Sequence, residues 1–233
     1  MLFCLPCEGK DFTRERISII IPAHNEAERI GATVRSVIKF AEEIIVVDDG
    51  SKDETALEAK RAGARVLRLR RNMGKGFALL AGFAVSKGEI LLLLDADLGC
   101  SAKESFPLLI PILKGEAEMT IADLPTRKGG FGLVLGLSRF GVKLLTGRKM
   151  RAPISGQRAI RREILEGFPW ERGFGFETAL TIYGLKKGYR VSEIPLPLEH
   201  RRTGKSLKGF LHRGKQFLQI LIALIKSSIR IWQ

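Results

Sequence analysis

Asp95 and Asp97 stand one residue apart at the end of an apolar run, Ile90-Leu91-Leu92-Leu93-Leu94. The run has strand length, and in an open α/β sheet ligands bind beyond the carboxyl ends of the strands. Side chains alternate along a strand, so the two carboxylates are expected on one side of the sheet edge. Two hard oxygen ligands so placed suit Mg2+ or Mn2+, which keep several waters and bridge to substrate phosphates. Taken alone, the pair reads more readily as two solvated loop residues, and the rest of the chain is what shifts the reading toward a metal.

Three more groups close runs of the same kind. Ile21-Pro22-Ala23-His24-Asn25-Glu26 ends the first, and Val47-Asp48-Asp49-Gly50-Ser51-Lys52-Asp53 ends the second. Asn72-Met73-Gly74-Lys75-Gly76 follows the third and opens a helix. Each is weak by itself. Asp49-Gly50-Ser51 also reads as a turn, and Ser51 or Asp53 as a helix cap. Gly74-Lys75-Gly76 lacks the spacing of a phosphate-binding P-loop. Several loops meeting on one edge is nevertheless how open sheets build a nucleotide site.

The elements that must position these groups are legible from periodicity. Ile17 to Pro22 and Glu43 to Asp48 are expected to be buried strands, Arg65 to Leu69 a third strand and Ile90 to Leu94 a fourth. Between them Glu26 to Phe40, Lys52 to Ala62 and Gly74 to Ser86 carry helical spacing. Strands alternating with helices argue for right-handed crossovers and a parallel sheet. After Asp97 the alternation loosens. Ser101 to Leu113 is expected to be a helix shortened or kinked by Pro107 and Pro111. Met119 to Ala122 reads as a strand, Arg127 to Gly132 as a mobile basic loop and Leu133 to Leu145 as a helix. Gln157 to Arg162 is expected to be a strand leading into a short helix at Glu163. Phe176 to Lys187 reads as a helix and Arg190 to Leu196 as a strand.

Composition bounds the function. The 233 residues allow one large domain, or a domain with a helical appendage, and 45% apolar content is enough for a full core. Lys+Arg of 39 against Asp+Glu of 25 gives +14, which points to an anionic partner: nucleic acid, anionic lipid or a phosphorylated substrate. Cys4, Cys7 and Cys100 form no disulfide framework and suit a reducing compartment. The start of the chain does not read as a secretory signal, and no run reaches the ~20 apolar residues that span a bilayer. From Leu207 to Trp232, Phe210, Phe217, Leu221, Leu224, Ile225, Ile229 and Trp232 follow a 3.6 period among Lys and Arg. Such a helix lies in a membrane interface, or packs its apolar face on the domain or on a second subunit.

In this order, "IPAHNEAERI", "VVDDGSKDET", "NMGKGFALLAGF" and "ILLLLDADL" resemble the family 2 glycosyltransferases of GT-A fold, over roughly residues 16 to 206. "SGQRAIRREIL" and "GFGFETALTIYGLKKGYRVSEIPLPLEHRRTGKS" are similar to dolichol-phosphate mannose synthases and bacterial polyprenyl-phosphate glycosyltransferases. The glucosyl-3-phosphoglycerate synthase group shares the core. The resemblance implies an α/β fold of GT-A (Rossmann-like) type, a mostly parallel sheet flanked by helices. Residues 1–206 would form the transferase domain and 207–233 the amphipathic helix.

The resemblance also implies roles. Pro22, Ala23, Asn25 and Glu26 would line the nucleoside pocket, and Asp48 or Asp49 would meet the base or ribose. Lys75 would lie near the base or diphosphate, Asp95 near ribose and metal, and Ala96 beside them. Asp97 would bind the metal, with His200 as a further ligand. Arg201, Arg202 and Lys205 would contact phosphates, Arg202 joining Asp97 and Glu177 in the catalytic set. Two positions depart from the mannose synthases. Gly99 replaces their metal-holding Gln, which His200 would compensate, and Ala152 replaces the Asp before their P-x-S-G segment.

Departure of a nucleoside diphosphate develops negative charge that a dication and basic groups stabilise. The reading is a metal-dependent hexosyltransferase using a UDP- or GDP-sugar donor. The favoured acceptor is a polyprenyl phosphate or other anionic lipid, at the cytoplasmic face of the membrane. A lipid phosphate needs little base catalysis, whereas a hydroxyl acceptor needs a base near its proton. Glu177 reads as that base, as an acceptor-positioning group, or as a helix-start carboxylate favoured by the dipole. The alternatives are a soluble enzyme acting on a small phosphorylated acceptor such as 3-phosphoglycerate, and a non-enzymatic basic module for membrane or nucleic acid. Specific nucleic-acid binding is disfavoured because carboxylates at the strand ends repel phosphate. Pairing through the C-terminal helix would give a homo-oligomer.

Overall fold

The structure, a computed structural model, describes residues 16–124, 132–170 and 175–198, with 221, 222 and 224. Its strands are β1 (Ile17–Ala23), β2 (Glu43–Asp48), β3 (Arg65–Arg68), β4 (Ile90–Leu93), β5 (Met119–Asp123), β6 (Arg158–Arg161) and β7 (Val191–Pro195). They form one seven-stranded sheet in the order β3-β2-β1-β4-β6-β5-β7. All pairings are parallel except those of β6, which runs antiparallel to both β4 and β5.

The apolar runs lack alternation because both faces of the sheet are covered. Ile19 and Ile21 of β1 point into one core with Val46, Leu92 and Leu94. Ile20, between them, points into the other with Ile45, Val47, Leu91 and Leu93. Helices α1 (Ala27–Val37) and α2 (Thr55–Arg61) cover the first face, with the short α4 (Ile110–Leu113). The second face takes α3 (Lys75–Val85), α5 (Gly132–Thr146), α6 (Arg162–Glu166) and α7 (Phe176–Lys186).

Most expected elements form within a residue or two of their expected limits, and the exceptions have local causes. Helix α2 starts at Thr55 rather than Lys52. The Asp53 carboxylate accepts hydrogen bonds from Thr55 N (3.1 Å), the Thr55 hydroxyl (2.5 Å) and Ala27 N (3.2 Å), and so holds 52–54 in a turn. The helix expected over 101–113 is a 3-10 stretch, Ala96–Leu108, broken at Gly99 and followed by α4. Pro107 and Pro111 lack the N–H that a continuous α-helix requires. Gln157 precedes β6, and Arg162 already belongs to α6. The loop expected at 127–132 lies outside the described residues except for Gly132, which opens α5. Of the expected C-terminal helix, Leu221, Ile222 and Leu224 are helical and the rest lies outside the described residues, as do Cys4 and Cys7. Among the described residues no helix is long and apolar enough to cross a membrane.

Glu118 and Arg190 clamp the start of β5 to the turn before β7. Glu118 N donates to Arg190 O (3.0 Å), Arg190 N donates to Glu118 Oε2 (2.7 Å), and the guanidinium adds bonds to the same carboxylate. Those side-chain hydrogen bonds hold the Glu118 carboxyl below the ordinary glutamate range. A lowered carboxyl contributes stability that is present above its unfolded value of ~4.3 and lost as pH falls through the folded value. Glu118→Gln should therefore lower the thermal midpoint at pH 7, and the deficit should close as the pH is taken below ~4. Thermal unfolding of both proteins across that range checks it.

Candidate functional site

The first two loops lock each other before any ligand arrives. Asn25 adopts φ 55, a left-handed conformation that Asn tolerates better than most residues. Its N–H donates to Ser51 Oγ (2.9 Å), and its Oδ1 accepts from Lys52 N (2.9 Å). His24 Nδ1 lies 2.8 Å from Asp49 O, and a carbonyl only accepts, so Nδ1 carries the proton. Glu26 N donates to Thr55 Oγ1 (2.8 Å). Pro22 and Ala23 belong to β1 and pair with Val47 and Asp48.

The carboxylates of Asp48 and Asp49 both have protein partners. Asp48 is fully buried; Oδ1 accepts from Ser51 N (2.9 Å) and Oδ2 lies 3.1 Å from Arg68 Nε. Asp49 accepts from Met73 N (2.6 Å) and Gly74 N (2.8 Å), tying the turn before α3 to the end of β2. Gly50, at φ 70, packs against that turn, where a Cβ would come within 2.6 Å of Arg71 C. A cleft of about 690 Å³ opens beside these loops, with His24, Ser51, Lys52, Arg68, Arg71 and Asn72 in its wall.

The centre of the site is the Lys75 ammonium. It lies 2.7 Å from Asp95 Oδ1 and 3.0 Å from Glu177 Oε1. Lys75 opens α3 and Glu177 sits in the first turn of α7, so two helix N-termini and the end of β4 converge here. A helix N-terminus disfavours a cation. Burial also pushes the Lys75 ammonium down, but the Asp95 and Glu177 charges outweigh it and hold the group protonated well above the ordinary lysine range.

The antiparallel strand completes this centre. β6 runs against β4 with Arg158 opposite Leu93, so the residues before β6 reach the edge that the other strands reach at their ends. Gln157 Nε2 donates to Asp95 Oδ2 (2.6 Å). At Gly156 a Cβ would overlap Lys75 Nζ and lie 3.1 Å from both Asp95 oxygens, so this close approach requires glycine. Beneath them the buried Arg158 guanidinium donates to Ser155 O (2.7 Å), Pro153 O (2.7 Å) and Thr181 Oγ1 (2.9 Å). Burial pushes Arg158 down to about 10, with Glu177 and Glu193 opposing, so it stays charged at neutral pH.

Asp97 does not share a strand with Asp95. β4 ends at Leu93, Asp95 is extended, and Asp97 lies in the 3-10 stretch that begins at Ala96. Strand alternation therefore does not relate the two side chains. Two polar side chains of α1 set the backbone here. Thr33 Oγ1 donates to Ala96 O (2.8 Å) and accepts from Gly99 N (2.8 Å), and Arg29 donates to Asp97 O (3.0 Å). Ala96 itself is buried and Asp97 half-buried. His200, Arg201, Arg202 and Lys205 lie outside the described residues.

A divalent ion fits the chemistry of this edge. Asp95 and Glu177 bring two carboxylates to one ammonium, and carboxylates are the hard oxygen donors that such an ion takes. Asp95 is already organised around a cation, the Lys75 ammonium. Among the described residues no group of three or more His, Cys, Asp or Glu is arranged to hold a metal. Asp95 and Asp97 would therefore need a donor from beyond them, such as His200 or a ligand phosphate.

The periodicity reading missed Thr33, Gln157, Gly156 and Arg158 as parts of the site. Thr33 carried a signal, a polar residue at an apolar-face position of α1, and it is fully buried. Gln157 carried none, because its place depends on the direction of β6.

Comparison with known proteins agrees with this fold. Residues 18–168 match the family described as glycosyl transferase family 2. A glucosyl-3-phosphoglycerate synthase of Mycolicibacterium paratuberculosis is 31% identical over 71% of this chain and 59% of its own length, so the chain spans less than two thirds of that relative. A dolichyl-phosphate hexose transferase of Haloferax volcanii is 25% identical over 86% of this chain and 90% of its own length. The crystal structure of the Mycobacterium tuberculosis glucosyl-3-phosphoglycerate synthase with Mn2+, UDP and glucosyl-3-phosphoglycerate matches with a TM-score of 0.80. It is 26% identical, over 92% of this chain and 80% of that one.

Removing the ammonium leaves the half-buried Asp95 carboxylate facing the buried Glu177 carboxylate. Lys75→Met should destabilise the fold by about 1–3 kcal/mol in urea titrations, the low end reflecting partial solvent access. Gly156→Ala should displace Lys75 and weaken nucleotide binding with a smaller loss of stability, read by calorimetric titration with UDP and Mn2+.

Proposed function

The chain belongs to glycosyl transferase family 2, and on that premise we propose that it moves a sugar from a nucleotide-sugar donor to a phosphorylated acceptor. The observation that carries this reading is the Lys75 ammonium held between Asp95 and Glu177 at the ligand-binding edge of the sheet. The donor lies along the loops after β1, β2 and β3, its nucleoside toward the cleft beside His24 and its diphosphate toward Lys75 and Asp95. Asp95 and Asp97 would hold Mg2+ or Mn2+, which would supply Lewis-acid neutralisation of the departing diphosphate. Lys75 exchanges part of its attraction to Asp95 for the diphosphate and stabilises the leaving charge, in a site preorganised before the reaction. Glu177 keeps the ammonium aimed as it does so. Arg201, Arg202 and Lys205 are the expected further phosphate contacts, and His200 the expected further metal ligand.

The acceptor we favour is a polyprenyl phosphate, at the cytoplasmic face of a membrane. A phosphate nucleophile is already anionic and asks no base of the protein. This fits a Glu177 carboxylate engaged with Lys75 at 3.0 Å rather than open to an incoming hydroxyl. The Haloferax dolichyl-phosphate hexose transferase also matches along 90% of its length, against 59% for the mycobacterial synthase. The second reading is a small phosphorylated acceptor of the 3-phosphoglycerate kind. The higher identity of the mycobacterial synthase, 31%, favours it.

A panel of UDP- and GDP-sugars with and without Mn2+ should raise the thermal midpoint for one donor in a metal-dependent way. Radiolabel from that donor should then pass to polyprenyl phosphate and not to 3-phosphoglycerate; the reverse selects the second reading. Asp97→Ala should abolish transfer and the metal-dependent part of the shift. Full turnover in that variant would remove Asp97 from the site.

A further inference from the structure

The positive charge of this chain is segregated. Residues 124–162 carry ten Lys or Arg and no Asp or Glu, and residues 200–233 carry eight and none. The remaining residues hold 21 basic against 25 acidic side chains, so the whole +14 belongs to those two segments.

Helix α5 lies within the first segment. Its inner face holds Val134, Ser138 and Val142, all buried, with the Ser138 hydroxyl 2.8 Å from that of Thr178 on α7. Its flank meets the C-terminal helix at Gly141, where a Cβ would overlap the Leu224 side chain. Its outer face carries Phe140 and Leu144, four residues apart and 63% and 69% exposed. Arg139 and Lys143 form a second exposed stripe one residue away. Leu221 and Ile222, also exposed, lie close by in sequence to Leu224. Large apolar side chains this exposed cost free energy in water unless something covers them.

We propose that this outer face of α5, with Leu221 and Ile222, docks on an anionic lipid bilayer. The charge argues for lipid over a second copy of the chain, because two such faces, both basic and both without a carboxylate, would repel each other. Apolar residues interleaved with Lys and Arg match a surface that offers acyl chains beneath anionic headgroups. Lys and Arg stems lie along the apolar layer with their charges at headgroup level. The inference deepens the lipid-acceptor reading and rests on it for its purpose, although docking itself requires no chemistry.

The test is flotation of the full chain with vesicles. The wild-type chain should float with vesicles containing phosphatidylglycerol and stay behind with phosphatidylcholine alone. Phe140→Glu with Leu144→Glu should cut the floating fraction about tenfold or more, while the metal-dependent thermal shift with the donor nucleotide stays as in wild type, which shows that the variant is folded. A double variant that floats like wild type overturns the proposal, as does a wild-type chain that never floats. So does a double variant that turns a dimer into a monomer by light scattering with its lipid binding unchanged. A chain that floats as expected but transfers no sugar sinks the enzymatic reading and leaves the docking face standing.

Discussion

One ammonium between two carboxylates sets most of what the site is. Lys75 touches Asp95 at the end of β4 and Glu177 at the start of α7, and it is itself the first residue of α3. Three elements distant in sequence are joined by charge at the point where ligands of open sheets bind. Two carboxylates at such a half-buried edge would repel each other without that cation. The surrounding residues keep it in place: Gln157 holds the second oxygen of Asp95, and Gly156 leaves the space that Lys75 fills. A ligand that brings phosphates and a dication enters a site whose charges are already balanced and aimed, so little reorganisation remains for the reaction.

The reversal of β6 makes this arrangement possible. In a wholly parallel sheet the residues before a strand lie on the edge opposite the ligands. Here Ser155, Gly156 and Gln157 arrive at the ligand edge because β6 runs the other way. The same segment is pinned from below by Arg158 and at its start by Glu193, whose carboxylate accepts from the N–H groups of Arg151 and Ala152. The buried guanidinium finds oxygen acceptors for all its described contacts, so its desolvation is offset by hydrogen bonds. Charge also divides the chain: residues 124–162 and 200–233 hold the whole basic surplus, and the remainder is slightly acidic.

Much of this was readable in advance, and the misses share one cause. The strands that lead to Asp48 and Asp95 were legible because burial on both faces leaves continuous apolar runs. The crossing helices were legible because each keeps a 3.6 period. Asp49 was singled out correctly as a loop residue at a strand end, but its bonds to Met73 and Gly74 depend on how the third loop folds back over the second. Asp97 was placed by strand alternation, and the strand had already ended. What ended it was Thr33 and Arg29 on α1, 63 and 68 residues away from the backbone atoms they hold.

The sequence by itself determined the alternation of strands and helices, the edge at which acidic and basic loops collect, and the family to which those loops belong. Periodicity and turn chemistry are local, and local rules suffice for them. The tertiary structure alone decided which carboxylates face a cation and which are occupied by backbone N–H groups. It also decided that the approach to β6 serves the site and that Phe140 and Leu144 remain uncovered. Each of these depends on the direction and register of strands far apart in the chain, and no short-range pattern of residue types encodes that.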